Sequence, residues 1–483
     1  MDSRPRKGRI MQFDTQNSHV PAQNSNSNQT SLNSLKRPNP EKYLAKEGVS
    51  ALSHAFGGKI AMHPGMGGGA TPAEEIQPLI ASLLQKPLQG KTVAYIHVPF
   101  CQTHCLYCGF YNKPYREDES AQYTDTLLAE MALWRDSPAA QSTPVHAVYL
   151  GGGTPTALEA DDLERILKAA RQSLPLANDC EITVEGRLTN FDARKMEACF
   201  AGGANRFSLG VQSFNTEIRR SMGRLGTRED MARGLELLMS YDQSAVIVDL
   251  IYGFPRQDMD CWLEDIAFAQ SLNLDGADCY QLNVYGQTPL GKAIESGSIP
   301  PSADIPAQSA MFAASVEAMT EARYRRLSIS HWARTSRERN LYNLYVKGSA
   351  NCLAFGPGGG GNFAGNFYIN TPDYDSWRQQ VAEGRKPVSM LQKPSSHYAL
   401  FRAVAEDMEQ GCLNLSALEE RFALPLDDIW SPLLTQWQRA GLLMRDRGRA
   451  VLTMAGQFWQ VNLSQLLLNY LKLILEENDD LAA

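Results

Sequence analysis

From residue 91 to residue 285 the chain alternates between short runs of β-branched and aromatic residues and longer amphipathic stretches. The runs TVAYIHV (92–98), HAVYLGG (146–152), EITVEG (181–186), RFSLGVQ (206–212), VIVDLIYG (246–253) and ADCYQLNVY (277–285) read as strands, most of them ending in glycine or polar residues. Helical spacing over SAQYTDTLLAEMALWRD (120–136), DDLERILKAARQSL (161–174) and MDCWLEDIAFAQSLN (259–273) places helices between strands. Parallel strands require crossovers of this length. Six β-α units therefore predict an α/β fold over residues 91–290: a parallel sheet under helices, closed part way into a TIM-like (β/α)6 barrel.

The rhythm is lost after Tyr285. Residues 291–370 form an extension with an Arg-rich stretch and the Gly-rich segment FGPGGGGNFAGN (355–366). Residues 371–483 read as a mostly helical domain, in which SALEERFALPLDDIWSPLLTQWQRAGLLMRDRGRAVLT (416–453) runs from helices into a charged hairpin, as in a winged-helix-like module. Before the barrel, residues 1–45 are too polar to bury a core and predict a disordered leader. Residues 46–90 are an N-terminal extension, with GGKIAMHPGMGGGA (57–70) expected to be a loop.

Composition narrows the class. The 483 residues are 43% hydrophobic and 20% charged with a net charge of −7, without the basic domain that nucleic-acid binding requires. Residues 1–48 carry +4, leaving −11 on the remainder. There is no secretory h-region, and no apolar run approaches the roughly 18 residues of a membrane span. Nine cysteines, six of them isolated, fit a reducing cytoplasm, where clustered cysteines are metal ligands rather than disulfides.

Active sites of parallel barrels form where the loops after the strands converge, and the unusual polar residues fall there. The stretch HVPFCQTHCLYCGFY (97–111), with Cys101, Cys105 and Cys108, follows the first strand, and GGGTP (151–155) ends the second. Glu185 ends the third and Gln212 the fourth; Asp249 lies in the fifth, and Asn283 and Tyr285 end the sixth. Thiolates are soft ligands for iron–sulfur clusters, zinc or copper(I). Three of them would hold a [4Fe-4S] cluster with one iron open to a chelating ligand. Zinc with His104 as fourth ligand is the alternative, although His104 adjoins Cys105 and neighbouring side chains rarely reach one ion.

The C-x3-C-x2-C spacing with its strand and GGGTP resembles the radical S-adenosylmethionine (SAM) superfamily. The resemblance implies a radical SAM barrel whose open iron chelates the amino and carboxylate groups of SAM, and one-electron cleavage of SAM to a 5'-deoxyadenosyl radical. YIHVPFC, YLGGGTPT, TVEGR, RFSLGVQSF, MGR, VDLIYGFP and YQLNVYGQTPL occur in the order of its coproporphyrinogen-dehydrogenase-like subgroup. That likeness implies that Tyr95, Gly152 and Glu185 touch the cluster-bound SAM. It further implies that Tyr107, Gly153, Thr154, Gln212, Arg224 and Asp249 line the SAM pocket or a second SAM site, beside Gly151.

Within the subgroup, CGFY places Phe110 where coproporphyrinogen dehydrogenases usually carry another cysteine. With the HPGMGGG leader and RYRRLSISHWARTSRERNLYNLY (323–345), it is most similar to the anaerobic heme-utilisation branch, the ChuW/HutW-type anaerobilin synthases. The implied activity is methyl transfer from SAM to heme, opening of the macrocycle without oxygen, and release of iron. Oxidative decarboxylation of coproporphyrinogen III and heme chaperoning are the rivals. Six arginines between Arg323 and Arg339 suit the two heme propionates. His331 is a candidate iron ligand, with Met62, His63 and Met66 as alternatives, and Tyr285 is a candidate catalytic residue. The expected partners are heme and an electron donor (a flavodoxin, a ferredoxin or an NAD(P)H-linked reductase), with no nucleic acid and no membrane, for a cytoplasmic monomer.

Overall fold

The computed structural model describes residues 37–60 and 67–477 and contains the six expected strands. They are β1 (Thr92–Val98), β2 (Val145–Gly152), β3 (Leu176–Gly186), β4 (Arg206–Gln212), β5 (Ala245–Tyr252) and β6 (Gly276–Gln281). Each pairs in parallel with the next. The crossovers carry α1 (Ser120–Arg135), α2 (Ala160–Ser173), α3 (Ala193–Gly202), α4 (Arg228–Ser240) and α5 (Met259–Ser271). Helix starts follow local chemistry: Asp192 and Asp258 accept from the backbone of the first turn, and Thr227 with Asp230 forms a capping box.

Strand alternation divides two environments. Ala94, Ile96, Val98, Val148, Leu150, Val184, Phe207, Leu209, Val246 and Val248 enter the core shared with the helices. The intervening positions, Tyr95, His97, Tyr149, Gly151, Glu185, Ser208 and Asp249, line the other face, the interior of the barrel. That face is polar and aromatic, so the barrel is built to hold something other than its own aliphatic side chains.

The barrel stays open because further strands extend both edges. Strand β7 (His331–Ala333) adds antiparallel to β6, and β8 (Asn351–Phe355) adds parallel to β1. Beyond β8 lie β9 (Gly360–Phe363), β10 (Asn366–Asn370), β11 (Val388–Pro394) and an edge strand, Gly67–Ala70, and the short strand Arg325–Arg326 pairs with β7 at the other edge, completing a 13-stranded sheet. The (β/α)6 core thus sits inside a wider sheet, because the extension after residue 290 folds back onto both of its edges. Glu130, buried on α1, fastens the additions by accepting from Gly356 N (2.8 Å), Asn370 Nδ2 (2.9 Å) and Trp377 Nε1 (2.9 Å).

Three sequence expectations are corrected. The sixth strand stops at Gln281, which leaves Asn283 and Tyr285 in the following loop. Residues 67–70, expected as loop, pair with β11, since a Gly-rich run can serve as an edge strand when its backbone alone is used. Residues 37–45, expected within the disordered leader, are packed: Tyr43 lies against Tyr470 with centroids 5.2 Å apart, and Trp437 Nε1 donates to Tyr43 O at 3.0 Å. Residues 1–36 and Met62, His63 and Met66 lie outside the described residues.

The C-terminal domain follows the expected pattern of helices and a hairpin. Tyr398–Glu409, Leu415–Phe422 and Leu426–Arg439 are helices, and Cys412–Asn414, Leu443–Asp446 and Arg449–Leu452 form a three-stranded sheet. The last helix, Gln460–Glu477, packs on these. Among the described residues no helix is long and apolar enough to cross a membrane.

Candidate functional site

The loop after β1 is fixed at several points. Tyr115 N donates to Cys101 O (2.9 Å), Leu106 N to Met222 O (3.1 Å), and Leu290 N to Leu106 O (2.8 Å). Cys101 and Cys105 are buried and Cys108 half-buried; all three are free thiols. Donors aim at each sulfur. Thr154 Oγ1 reaches Cys101 Sγ at 3.4 Å, Arg224 Nη1 reaches Cys105 Sγ at 3.4 Å, and Phe110 N reaches Cys108 Sγ at 3.4 Å. Arg187 Nη2 lies 3.8 Å from Cys101 Sγ, while its Nη1 donates to Thr103 O and Oγ1. Burial pushes the Cys101 and Cys108 thiols up. Burial acts the same way on Cys105, but the Arg224 and Arg187 guanidiniums outweigh it and hold that thiol below its ordinary value. Cationic donors around thiols favour the thiolate a metal requires.

These residues fit an iron–sulfur cluster. Among the described residues no three His, Cys, Asp or Glu side chains converge on a single-ion position, whereas a four-iron cluster takes each thiolate at its own corner. The His104 ring stacks on Tyr111 with centroids 4.0 Å apart, and its Nε2 is buried without a partner. Phe110, beside Cys108, is 77% exposed at the mouth.

The end of β2 supplies the floor. Gly153 N donates to Val98 O and Thr154 N to Phe100 O, each at 2.7 Å. A Cβ on Gly153 would stand 2.4 Å from Phe100 O and 3.1 Å from Cys101 Sγ; one on Gly151 would stand 2.6 Å from Glu185 Oε2. Only a chain without side chains passes here, between the thiol loop and Glu185. Tyr95 Oη pairs with His97 Nδ1 at 2.9 Å, and the Tyr95 ring stacks with Tyr149 and Tyr342.

The inner wall carries the remaining polar residues. Enclosure in the barrel pushes Glu185 up to about 7, although the Gly152 N–H and Arg187 pull the other way. Asp249 is raised well above the carboxylate range, first by enclosure and then by Asp278 and Glu185. Gln212 adopts φ 71°, uncommon for a residue with a side chain, and its Oε1 is buried without a protein partner. Arg224 pairs with Tyr107 Oη (3.3 Å) and the Gly210 carbonyl, yet its Nε also lacks a partner. Buried polar atoms left open beside a thiol loop mark where a polar ligand would complete the bonding. The structure therefore brings together the three cysteines, Tyr95, Tyr107, Gly151–Thr154, Glu185, Gln212, Arg224 and Asp249 around one space. Tyr285 lies in the loop after β6.

His331 and the arginines go elsewhere. His331, expected as a candidate iron ligand, is 1% exposed, with Nδ1 on Asp278 and Nε2 2.9 Å from Glu338. Both ring nitrogens are engaged, so neither is open to iron. The Arg-rich segment, expected to meet propionates, folds against the opposite, N-terminal end of the strands. Arg334 binds the Leu274 and Asn273 carbonyls, Arg337 pairs with Asp242, and Arg339 pairs with Asp179. The segment follows β6, whose antiparallel partner β7 carries the chain back toward that end. Sequence reasoning missed Arg187, although it immediately follows the strand end TVEG. It also missed Tyr342, Asp278 and Glu338, which no motif announces.

The pattern of the Radical SAM superfamily matches residues 95–269. The chain is 42% identical over 422 residues to the anaerobilin synthase of Escherichia coli O157:H7, covering 85% of this chain and 92% of that one. It is 28% identical over 319 residues to the oxygen-independent coproporphyrinogen III oxidase of Bradyrhizobium diazoefficiens, covering 63% of this chain and 69% of that one. Among solved structures, coproporphyrinogen III oxidase from Escherichia coli shares the fold at a TM-score of 0.71 and 21% identity, covering 81% of this chain and 93% of that one. Given the three-cysteine loop, the glycine floor beneath it and this identity along most of its length, the chain belongs to the radical SAM superfamily and, within it, to the anaerobilin synthases.

Proposed function

We propose that this chain degrades heme without oxygen, using SAM to methylate the porphyrin, open the ring and release iron. The observation that carries the reading is the 42% identity to an anaerobilin synthase across 85% of the chain. Cys101, Cys105 and Cys108 hold a [4Fe-4S] cluster, whose chemistry is one-electron reduction of bound SAM. Glu185 faces the SAM ammonium and Arg224 an anionic group. Gly151–Thr154 and Tyr95 seat the methionine part, and Tyr107, Gln212 and Asp249 line the pocket for one SAM or two. Tyr285, in the loop after β6, meets the substrate. The reductant is a flavodoxin, a ferredoxin or an NAD(P)H-linked reductase, and the enzyme acts as a cytoplasmic monomer.

The test is anaerobic incubation of reconstituted protein with SAM, a reductant and either heme or coproporphyrinogen III, followed by the heme Soret band and product masses. Loss of the band with a methylated open tetrapyrrole is expected. A persistent Soret complex would mean heme delivery instead, and loss of two carboxyl groups from coproporphyrinogen would mean decarboxylation.

A further inference from the structure

Four residues stand abreast across adjacent strands: Gly210 on β4, Asp249 on β5, Asp278 on β6 and His331 on β7, each in register with the next. Adjacent strands are about 4.8 Å apart, so the two carboxyls are direct neighbours on one face. They differ in what else they touch. Asp278 is 2% exposed and holds His331 Nδ1, and His331 in turn binds Glu338, which receives a bidentate grip from Arg206. Asp249 has no cation in contact; Ser208 Oγ donates to it at 3.3 Å, its carboxyl also pairs with that of Asp278, and it is half-buried.

We propose that Asp278, His331 and Glu338 are positioning residues that keep Asp249 as the neutral acid, so that the cofactor pocket meets an uncharged carboxyl there instead of a carboxylate. Enclosure disfavours the charge first, and two adjacent carboxyls in an enclosed site do not both ionise. The cation on the far side decides which one keeps the negative charge. Every charged or titratable group facing Asp249 acts in this sense or is too distant to reverse it: Glu185 on β3 and Asp278 on β6 repel a second charge, and Tyr149 and Tyr280 are neutral. Arg206 and the His331 imidazolium are the opposing cations, and Glu338 and Asp278 already engage them. On the other flank, burial alone would keep His331 neutral, but Asp278 and Glu338 push it up to about 9, so the imidazolium persists at neutral pH.

The proposal rests on the SAM-pocket reading only for what Asp249 faces; the location of the proton is tested without SAM or heme. Full-length protein labelled with 13C at the aspartate side-chain carboxyl is examined by infrared difference spectroscopy across pH. A protonated aspartic acid band at neutral pH, absent in Asp249→Asn, is expected. Asp278→Asn removes the neighbouring negative charge, so the Asp249 band should titrate lower by about one pH unit or more. His331→Gln removes the imidazolium beside Asp278, so the pH at which the Asp249 band disappears should move from its parent position; Asp278→Asn keeps the test decisive where His331→Gln fails to fold. Absence of a band that Asp249→Asn removes, or one that Asp278→Asn leaves unmoved, would overturn the proposal. The pH profile of SAM affinity should move with the band in Asp278→Asn. A band that behaves as expected while SAM affinity ignores it would overturn the pocket assignment and leave the proton where it is proposed.

Discussion

The two ends of the barrel both carry buried arginines, and they use them differently. At the base, Arg206 is enclosed and doubly bound to Glu338, and Arg334, Arg337 and Arg339 end on carbonyls or carboxylates of the strand N-termini. At the mouth, Arg187 and Arg224 point at cysteine sulfur, and Arg224 Nε and Gln212 Oε1 remain without protein partners. Charge density alone would rank the base first. Buried polar atoms without partners, each costing about 1–3 kcal/mol unless a ligand fills it, occur at both ends, with Glu181 Oε2 and Ser244 Oγ at the base; those of the mouth are set apart by standing beside the thiols. The arginines of the base end on the protein's own carboxylates and carbonyls, whereas those of the mouth end on thiols that a cluster would take.

That contrast can be broken at several points. Replacing Cys101, Cys105 or Cys108 by Ala should abolish cluster absorbance and SAM cleavage while leaving the melting temperature of the apoprotein nearly unchanged; full activity in such a variant would end the cluster assignment. At the base, Arg206→Met strands Glu338 in a buried site and should cost about 3–5 kcal/mol of stability in denaturant titration. A loss confined to catalysis would contradict the structural role.

Smaller effects sharpen the comparison. Glu185→Gln keeps an acceptor for the Gly152 N–H but loses the charge, so SAM affinity measured calorimetrically should fall about 10–100-fold. In the parent protein SAM affinity should weaken as pH drops through about 7, where Glu185 gains its proton, and the variant should lack that dependence. Glu130 gives a stability counterpart. Burial pushes it up to about 7 from an ordinary value of 4.5, so the folded state holds its proton more tightly than the unfolded chain. Its contribution should therefore decline as pH rises between those values and stay flat above. Glu130→Gln should reduce the stability difference between about pH 5 and pH 8. Least of all, Arg339→Ala should cost about 1 kcal/mol or less and leave heme turnover unchanged, since its pair with Asp179 is exposed. A marked rise in KM for heme would restore the propionate role to this segment.

Much of the core was legible because it rests on local rules. Strand periodicity placed β1 to β5 within a residue or two at most boundaries, except where β3 starts earlier, at Leu176. The cysteine spacing and GGGTP named the chemistry before any fold was known. What escaped were pairings between residues far apart in sequence. Nothing in NCLAF announces that β8 will join β1 in parallel, because a fully buried strand carries no alternation to read. His331 looked available because a single histidine in a basic stretch shows no partners. Those partners, Asp278 and Glu338, lie on another strand and in a following loop.

By itself the sequence determined the barrel's repeating units, the three thiols, the glycine floor and the placing of functional residues at strand ends. These follow from periods of two and about 3.6 residues and from spacing within one loop. Only the tertiary structure decided which arginines face sulfur and which face carboxylates, where the sheet ends, and that His331 lies beneath the site instead of over the substrate. Those outcomes depend on which strands become neighbours, and partner choice across hundreds of residues is fixed by the packing of the whole sheet.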